Sequence, residues 1–211
     1  ALFHGGESVE KTAAASGVIL AGGQSSRMEE NKAFVRVGGT PIIEILVERL
    51  ARAFADVILV TNQPELYAGL GVRVVTDLIP RLGPLSGLHA GLAHAGGRPI
   101  FACACDMPFV SMELARFLLG LLPGHDAVAP LVGGRFQPLC AAYAPGCLAV
   151  FERCLHQGRL KISRVYQEEL KVRYVSDEEV ARFGDPEVLF CNVNSPEALA
   201  RARQLARGGA R

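Results

Sequence analysis

Residues 20–28 read LAGGQSSRM and continue the apolar run of residues 17–21. A short apolar run of this kind is typical of a buried strand. Gly22 and Gly23 then allow a backbone turn that a side chain would block. Four nearby side chains carry hydrogen-bond donors suited to phosphate oxygens: Ser25, Ser26, Arg27 and Lys32. A glycine pair alone is commonly a plain tight turn, but this combination predicts a nucleotide-binding turn after the first strand.

The composition indicates a globular protein without a strong charge. Of 211 residues, 50% are hydrophobic, and 22 Lys and Arg stand against 21 Asp and Glu. This near-equal number of positive and negative side chains argues against broad nucleic-acid binding. No apolar stretch reaches the roughly 18 residues of a membrane span. Residues 1–16 contain charged side chains where a signal peptide would be apolar. We therefore expect a soluble, cytoplasmic protein that binds neither nucleic acid nor membranes.

The cysteines and histidines show no metal-binding spacing. The chain has no CxxC pair, and no histidine lies at zinc-site spacing from its six cysteines. Cys103 and Cys105 fit one face of a buried strand. His89 and His94 are five residues apart, which does not form a ligand pair on a helix. The pattern predicts free thiols in a reducing compartment.

Strand-like and helical patterns alternate through the first two thirds of the chain. We predict strands at 17–21, 56–61, 72–76, 99–105 and 126–131, and helices at 41–54, 84–95 and 111–121. Thr40 is the expected cap of the first helix, after an extended piece at Phe34–Val37. This alternation predicts a single doubly wound α/β sheet that is mostly parallel.

The pattern changes after Gly133 and predicts a mixed sheet. Gln137–Tyr143, Val172–Val175 and Leu189–Cys191 are the expected strands. Helices are expected at 145–157 and 160–169, and a last helix opens at Ser195 and continues to about Arg207. We expect residues 1–16 to be a disordered extension and 17–207 a single domain. Within it, 17–131 form the nucleotide-binding part and 132–207 the part that faces the second substrate.

Polar residues follow the predicted parallel strands, where open α/β sheets bind their ligands. After the first strand comes Arg27, and after the next three come Asn62, Asp77 and Asp106. A carboxylate at the position of Asp106 is suited to hold Mg²⁺ between phosphate oxygens. Asp106 could instead cap a turn, but the nearby cations Arg27 and Lys32 favour a role in metal binding. Asp77 could contact base, ribose or metal, or simply stabilise a turn.

With these positions assembled, the chain resembles the molybdenum cofactor guanylyltransferases. The resemblance covers most of 17–199 and rests on eight segments in the expected order: LAGGQSSRM at 20–28, Lys32, TNQPELY at 61–67, Asp77, GPLSG at 83–87, CDMPF at 105–109, QPLCAAY at 137–143 and NVNSPEAL at 192–199. It implies a Rossmann-like nucleotidyltransferase fold. It also implies transfer of GMP from GTP to the terminal phosphate of Mo-molybdopterin, with release of pyrophosphate.

The same resemblance implies residue roles. The implied nucleotide contacts are Leu20, Ala21, Gly22, Gly23, Lys32, Asn62, Asp77 and Asp106. Arg27, Lys32 and Asp106 are the implied catalytic residues, with Mg²⁺ held by Asp106. Asn192 or Asn194 would approach the metal or the molybdopterin phosphate, although Asn194 also fits a helix start. Transient contact with molybdenum cofactor insertion proteins or apo-molybdoenzymes is a further expectation.

Two positions depart from the family pattern. Glu29 stands where a glycine is usual, and Asn31 where an acidic residue is usual. Because carboxylates close to phosphates repel them in a dry site, we expect Glu29 and Glu30 to point to solvent or to become ordered with the metal.

Three other functions remain open on the sequence. They are CTP-dependent transfer to molybdopterin, nucleotidyl transfer to a sugar phosphate, and a carrier that binds nucleotide or cofactor without chemistry. The sequence LAGG at 20–23 favours guanine, because cytidine-specific and sugar-specific relatives more often resemble LAAG. The metal ligand proposed at Asp106 argues against a carrier. A dinucleotide-dependent oxidoreductase does not fit, because the first turn lacks GxGxxG.

Overall fold

The computed structural model describes residues 11–22, 31–79 and 83–208. Within these ranges the strands are β1 Thr12–Leu20, β2 Arg36–Val37, β3 Thr40–Pro41, β4 Phe54–Val60, β5 Arg73–Val75, β6 Ile100–Ala104, β7 Ala127–Val132, β8 Arg135–Phe136, β9 Cys140–Tyr143 and β10 Val172–Val175. The α-helices are α1 Ile42–Ala53, α2 Pro84–His94, α3 Met112–Gly120, α4 Cys147–His156, α5 Ile162–Glu168, α6 Asp177–Ala181, α7 Pro186–Leu189 and α8 Pro196–Gly208. Two 3₁₀ helices span Lys32–Phe34 and Pro64–Leu70.

The main sheet has the strand order β10-β7-β9-β6-β1-β4-β5, and β8 pairs with β7. The neighbouring strands β6, β1, β4 and β5 are parallel to one another. Strand β9 runs antiparallel between β6 and β7, whereas β10 is parallel to β7. Because parallel neighbours need crossover connections, α1 and α2 return the chain across the sheet. The predicted mixed, mostly parallel sheet is confirmed.

Helices cover both faces of the sheet. Along β1, Ile19 joins a buried cluster with α1 and α3, whereas Val18 and Leu20 join a second cluster with α2, α4 and α5. This alternation is the period of two that a strand imposes on its side chains. The arrangement has three layers, helix on sheet on helix, as a doubly wound fold requires.

Helix α2 lies unusually close to β1. A Cβ atom added at Gly91 would lie 2.9 Å from Val18 Cγ1, and one added at Gly87 would lie 3.1 Å from Leu20 Cδ2. Side chains at these two positions would push the helix away from the sheet. The glycines therefore bring the start of α2 to the carboxyl end of β1.

Strand β1 begins at Thr12, five residues earlier than predicted. Ser16 is buried, and its hydroxyl donates a 2.7 Å hydrogen bond to Asp56 Oδ2 at the start of β4. The expected boundary after residue 16 is therefore wrong for Thr12–Ser16. These residues are small and weakly apolar, so hydrophobic periodicity missed them, and pairing with β4 determines their conformation.

Three local expectations also differ from the structure. The predicted strand Leu189–Cys191 is wrong, because Leu189 ends helix α7 and the next two residues join no strand. The helix is capped by a 2.9 Å hydrogen bond from Glu187 N to Asp185 Oδ1. Thr40 does not cap α1 but pairs in strand β3. Phe34 ends a 3₁₀ helix, so only the second half of the predicted extended piece is a strand. Capping and pairing interactions determine the local conformation at each of these three places.

The six cysteines are all free, and five of them are buried. His89 is buried in α2, and His94 bonds the Ala90 carbonyl of its own helix through Nδ1. No helix in the described part of the chain is long and apolar enough to cross a membrane.

Candidate nucleotide site

The carboxyl ends of β5, β4, β1 and β6 lie side by side at one edge of the sheet. Backbone hydrogen bonds continue the pairing just beyond the strands: Thr61 N donates to Val75 O at 2.9 Å, Ala21 N to Val60 O at 2.8 Å, and Cys105 N to Leu20 O at 3.1 Å. The polar residues that follow these strands therefore start from the same edge, as the strand-end pattern predicts.

The predicted site residues form a row across that edge. Asp77 follows β5, Asn62 follows β4, Gly22 follows β1 and Asp106 follows β6. Because neighbouring strands are about 4.8 Å apart, three strand spacings separate the backbones after β5 and β6 by about 14 Å. A row of this length can hold a nucleoside at one end and phosphates at the other.

Asn62 and Asp77 form a hydrogen-bonded pair at the β4–β5 end of the row. The Asn62 side-chain amide donates to Asp77 Oδ2 at 2.8 Å, and Asp77 N donates to Asn62 Oδ1 at 3.4 Å. The other carboxylate oxygen, Oδ1, has no hydrogen-bond donor among the described residues. The pair thus offers an oriented acceptor for N–H or O–H groups of a ligand.

Asp106 occupies the other end of the row. Burial raises the pKa of its carboxyl group, while the positive charge of Lys32 acts in the opposite direction. Its backbone carbonyl accepts a 2.9 Å hydrogen bond from Val193 N. The structure therefore brings Asp106 together with both Lys32 and the segment that contains Asn192 and Asn194.

Lys32 reaches this end of the row from a 3₁₀ helix. The helix begins after Asn31, whose Oδ1 accepts a 3.1 Å hydrogen bond from Ala33 N. Burial raises the pKa of the Cys105 thiol to about 12, and the Lys32 charge opposes that rise. The lysine is therefore close enough to act electrostatically on both residues that follow β6.

The chemistry around Asp106 fits a single hard cation. The described residues contain no group of three or more His, Cys, Asp or Glu side chains that could hold a metal ion. Mg²⁺ commonly takes one or two protein carboxylates and completes its shell with water and phosphate oxygens. Of the described residues in the row, Asp106 would supply the carboxylate at this end, so a cation here would take further oxygen ligands from a bound phosphate. Asp77 lies too far along the row to share it.

The start of α2 also lies at this edge. Its N-cap, Gly83, has a φ of 78° and no side chain to cap the first turn, and Pro84 follows. Ser86 is buried, and its hydroxyl has no hydrogen-bond partner among the described residues. Unpaired donors at a helix start favour polar or anionic ligands. This position agrees with the predicted contribution of residues 83–87.

The structure places only some of the remaining predicted residues. Gly23 and Arg27 lie outside the described residues, as do Glu29 and Glu30. Asn192 is half-buried and lines a surface cavity of about 540 Å³ with Cys191 and Arg201. Asn194 is exposed, and its backbone N–H donates to Asn192 O at 3.1 Å. Of these two asparagines, only Asn192 lines the cavity.

Tyr67 lies in the TNQPELY segment at 61–67, and the sequence pattern assigns it no role. Tyr67 is buried, accepts a 3.2 Å hydrogen bond from Asn31 Nδ2 and packs its ring against Phe34. It therefore supports the segment that carries Lys32. Its place in TNQPELY is the sequence signal by which it could be found.

The family model of the MobA-like NTP transferase domain matches residues 17–173. The chain belongs to this family. It is 42% identical over 192 residues to the probable molybdenum cofactor guanylyltransferase of Pelotomaculum thermopropionicum, covering 91% of this chain and 93% of the relative. It is 38% identical over 199 residues to the molybdenum cofactor guanylyltransferase of Desulfosudis oleivorans, covering 93% and 98% of the two chains.

A solved structure supports the same relationship. The MobA-like chain matches the crystal structure of molybdopterin-guanine dinucleotide biosynthesis protein A from Archaeoglobus fulgidus with a TM-score of 0.81 and 29% identity, covering 92% of this chain and 99% of that one. The predicted family and the Rossmann-like nucleotidyltransferase fold are confirmed. This MobA-like protein is a nucleotidyltransferase.

Proposed function

We propose that this protein transfers GMP from GTP to the terminal phosphate of Mo-molybdopterin, giving molybdopterin guanine dinucleotide and pyrophosphate. The observation that carries the proposal is the row of polar residues at four parallel strand ends, in a chain whose relatives are named molybdenum cofactor guanylyltransferases. One end offers an oriented amide–carboxylate pair, and the other offers a carboxylate beside a lysine.

GTP would lie along this row, with its guanosine at Asn62 and Asp77 and its phosphates toward Asp106. The backbone of residues 20–23 would contact the nucleotide between the two ends. In support, a Cβ atom added at Gly22 would meet nothing within 4 Å in the described structure. Packing against the described residues therefore does not require a glycine at position 22. Close approach of a ligand to the backbone would require one.

The charges suit the phosphate end. Asp106 would hold Mg²⁺, which supplies charge neutralisation to phosphate oxygens when bound. Lys32 would offset the charge of the departing pyrophosphate, and we propose the same role for Arg27. Because both cations and the carboxylate act by charge, no protein nucleophile is needed.

The chemical step is an in-line displacement. A terminal phosphate oxygen of molybdopterin attacks the α-phosphorus of GTP, and the bond from that phosphorus to the α–β bridging oxygen breaks. The attacking oxygen is already anionic, so the role of the chain is to align it with the leaving pyrophosphate and to exclude competing water. Lys32 and Asp106 lie on the side of the row where this alignment is needed.

The part of the chain after residue 131 would face molybdopterin. The hydrogen bond from Val193 N to Asp106 O joins this part to the phosphate end of the row. Asn192 is our proposed contact to the molybdopterin phosphate, because it is half-buried and lines a cavity next to that bond. Asn194 is the weaker candidate, since it is exposed and precedes the start of α8. Contact with cofactor insertion proteins or apo-molybdoenzymes, and the cytoplasmic location, stay predictions.

Calorimetric titration with GTP, CTP and ATP, each with and without Mg²⁺, tests the nucleotide preference. We expect selective GTP binding that depends on Mg²⁺ and is weakened in Asp106→Asn. A pyrophosphate-release assay with Mo-molybdopterin then tests turnover. Preference for CTP would indicate cytidylyl transfer, and GTP binding without turnover would indicate a carrier. Either result would contradict the proposal.

A further inference from the structure

Lys32 lies in a segment that cannot hold its own conformation. The 3₁₀ helix Lys32–Phe34 has only three residues, so it has almost no internal hydrogen bonding to fix it. Lys32 is its first residue and directly follows the cap residue Asn31. The position of the ammonium group must therefore be set by contacts made from other parts of the chain.

Those contacts converge on Tyr67. Asn31 uses both ends of its side chain: Oδ1 accepts from Ala33 N at 3.1 Å, and Nδ2 donates to the Tyr67 hydroxyl at 3.2 Å. On the other side of Lys32, the Phe34 ring lies 5.2 Å from the Tyr67 ring, measured between centroids. Tyr67 therefore contacts a residue on each side of Lys32 in the sequence.

Tyr67 is itself fixed. It is 1% exposed, and the Thr61 side chain lies close enough to its hydroxyl to oppose the rise that burial causes in the Tyr67 pKa. Thr61 directly follows β4 and pairs with Val75 through its backbone N–H. A chain of contacts thus connects Lys32, through Asn31 and Tyr67, to the rigid edge of the sheet.

The contacts are electrically neutral. Asn31 carries no charge, and burial raises the pKa of Tyr67, which keeps its hydroxyl protonated. None of the ion pairs in the described part of the chain includes Lys32. An acidic residue at position 31 would place a negative charge beside the lysine. The neutral pair fixes the segment and leaves the positive charge of Lys32 available to a ligand.

We propose that Tyr67, acting through Asn31, is a positioning residue that holds Lys32 against the phosphate end of the nucleotide row. This inference rests on the proposed function. Tyr67 touches no reacting atom; it restricts where the ammonium group can lie, which lowers the entropy lost when a triphosphate binds.

A double-mutant cycle with GTP tests the proposal. The variants are Tyr67→Phe, Lys32→Ala and the double variant, with GTP affinity measured by calorimetry in Mg²⁺. We expect Tyr67→Phe to weaken GTP binding about 3- to 10-fold, the effect of one net hydrogen bond. In the Lys32→Ala background, Tyr67→Phe should not weaken GTP binding further, because Tyr67 acts on the nucleotide through Lys32. Any change in melting temperature should be equal in both backgrounds. A loss of affinity that persists without Lys32, or no loss in the wild-type background, would overturn the proposal.

One control and one further variant make the cycle decisive. Tyr174→Phe removes a hydroxyl from strand β10, outside the row, and should leave GTP affinity unchanged. Asn31→Ala removes the bond to Tyr67 and the bond from Ala33 N, so it should weaken GTP binding at least as much as Tyr67→Phe. It leaves the buried ring unaltered, which covers the case in which Tyr67→Phe folds poorly. Affinity equal to wild type in Asn31→Ala would show that the link does not run through Asn31 and would contradict the proposal.

Hydrogen exchange of the ligand-free protein separates this proposal from the proposed function. Ala33 N donates to Asn31 Oδ1 and Val35 N donates to Lys32 O, so both amides report on the segment. We expect Tyr67→Phe to increase exchange at these amides and to increase acetylation of the Lys32 ammonium group, measured by mass spectrometry. If wild-type protein fails to bind GTP, the proposed function fails, while unchanged exchange and acetylation would overturn the positioning role.

Discussion

Asn62 and Asp77 follow neighbouring parallel strands and hold each other through two hydrogen bonds, one from the Asn62 amide to Asp77 Oδ2 at 2.8 Å and one from Asp77 N to Asn62 Oδ1 at 3.4 Å. The pair fixes the direction of a carboxylate at the edge of the sheet where the proposed nucleoside lies. Its geometry therefore makes Asp77 the acceptor to test first.

Replacing Asp77 with Asn should weaken GTP binding about 10- to 100-fold, since a charge-assisted hydrogen bond contributes roughly 1.5–3 kcal/mol. The pair is largely exposed, so the free energy of unfolding should change by less than about 0.5 kcal/mol. Calorimetry and urea denaturation measure the two effects. Glu65→Gln, at a nearby exposed carboxylate outside the row, is the control. Unchanged GTP affinity in Asp77→Asn would remove this residue from the site.

Substitution of Gly22 should separate binding from stability. A Cβ atom there meets nothing within 4 Å in the described structure, so Gly22→Ala should fold with nearly wild-type stability. GTP affinity should fall at least about 10-fold, because the methyl group would occupy space that the nucleotide needs.

Gly91→Ala is the matched comparison for Gly22→Ala. The added Cβ atom would lie 2.9 Å from Val18 Cγ1, so overpacking should lower stability by about 1–3 kcal/mol. If Gly22→Ala lost stability as Gly91→Ala does, the glycine would have a packing role instead.

Asp106→Asn should abolish most turnover without unfolding the protein, because the amide keeps the shape of the side chain but is a much weaker ligand for Mg²⁺. A reduction of about 10³-fold or more is expected when charge stabilisation at the reacting phosphates is lost. The pyrophosphate-release assay in Mg²⁺ measures it. Near-normal rates would show that Asp106 is not the metal ligand.

The stability of metal-free protein should report on the same carboxyl group. Burial raises the pKa of Asp106 above its value in the unfolded chain, so the folded state holds this proton more tightly. As pH rises from the ordinary pKa of an aspartate through the raised pKa, this group reduces stability, and the loss is complete above the raised pKa. Asp106→Asn should remove that loss. Its melting temperature at neutral pH, measured with a chelator, should equal or exceed that of wild type.

Asp56 offers a test of stability away from the proposed site. At the start of β4 its carboxylate accepts hydrogen bonds from the buried Ser16 hydroxyl and from Arg73 and Arg98. Asp56→Ala should lower the free energy of unfolding by about 1–3 kcal/mol, because a buried hydroxyl loses its acceptor. GTP affinity should not change, since β4 meets the nucleotide row at its other end. Glu48→Gln, which removes an exposed ion pair, should change stability by about 0.5 kcal/mol or less.

Much of the fold and of the row followed from local sequence pattern. The alternation of strands and helices predicts βαβ units, and such units place the residues after β1, β4, β5 and β6 at one edge. Thr12–Ser16 escaped prediction because small residues carry little hydrophobic signal. The hydrogen bonds from Asn31 to Tyr67 and from Val193 to Asp106 O join residues far apart in the chain, and a pattern of neighbouring residues does not encode such contacts. The roles of Gly23 and Arg27 remain predictions, since both lie outside the described residues.

Strand β9 has a consequence for how this chain could be divided. It lies between β6 and β7 and runs against both, although it follows them in sequence. A fragment ending at Val132 would contain every strand end of the proposed nucleotide row, yet it would leave one edge of β6 unpaired and would remove β9, β10 and β8, the partners of β7. Open sheet edges recruit other chains. The first 132 residues should therefore aggregate when expressed alone, and adding residues 133–211 as a separate polypeptide should rescue them by supplying β9 and β10.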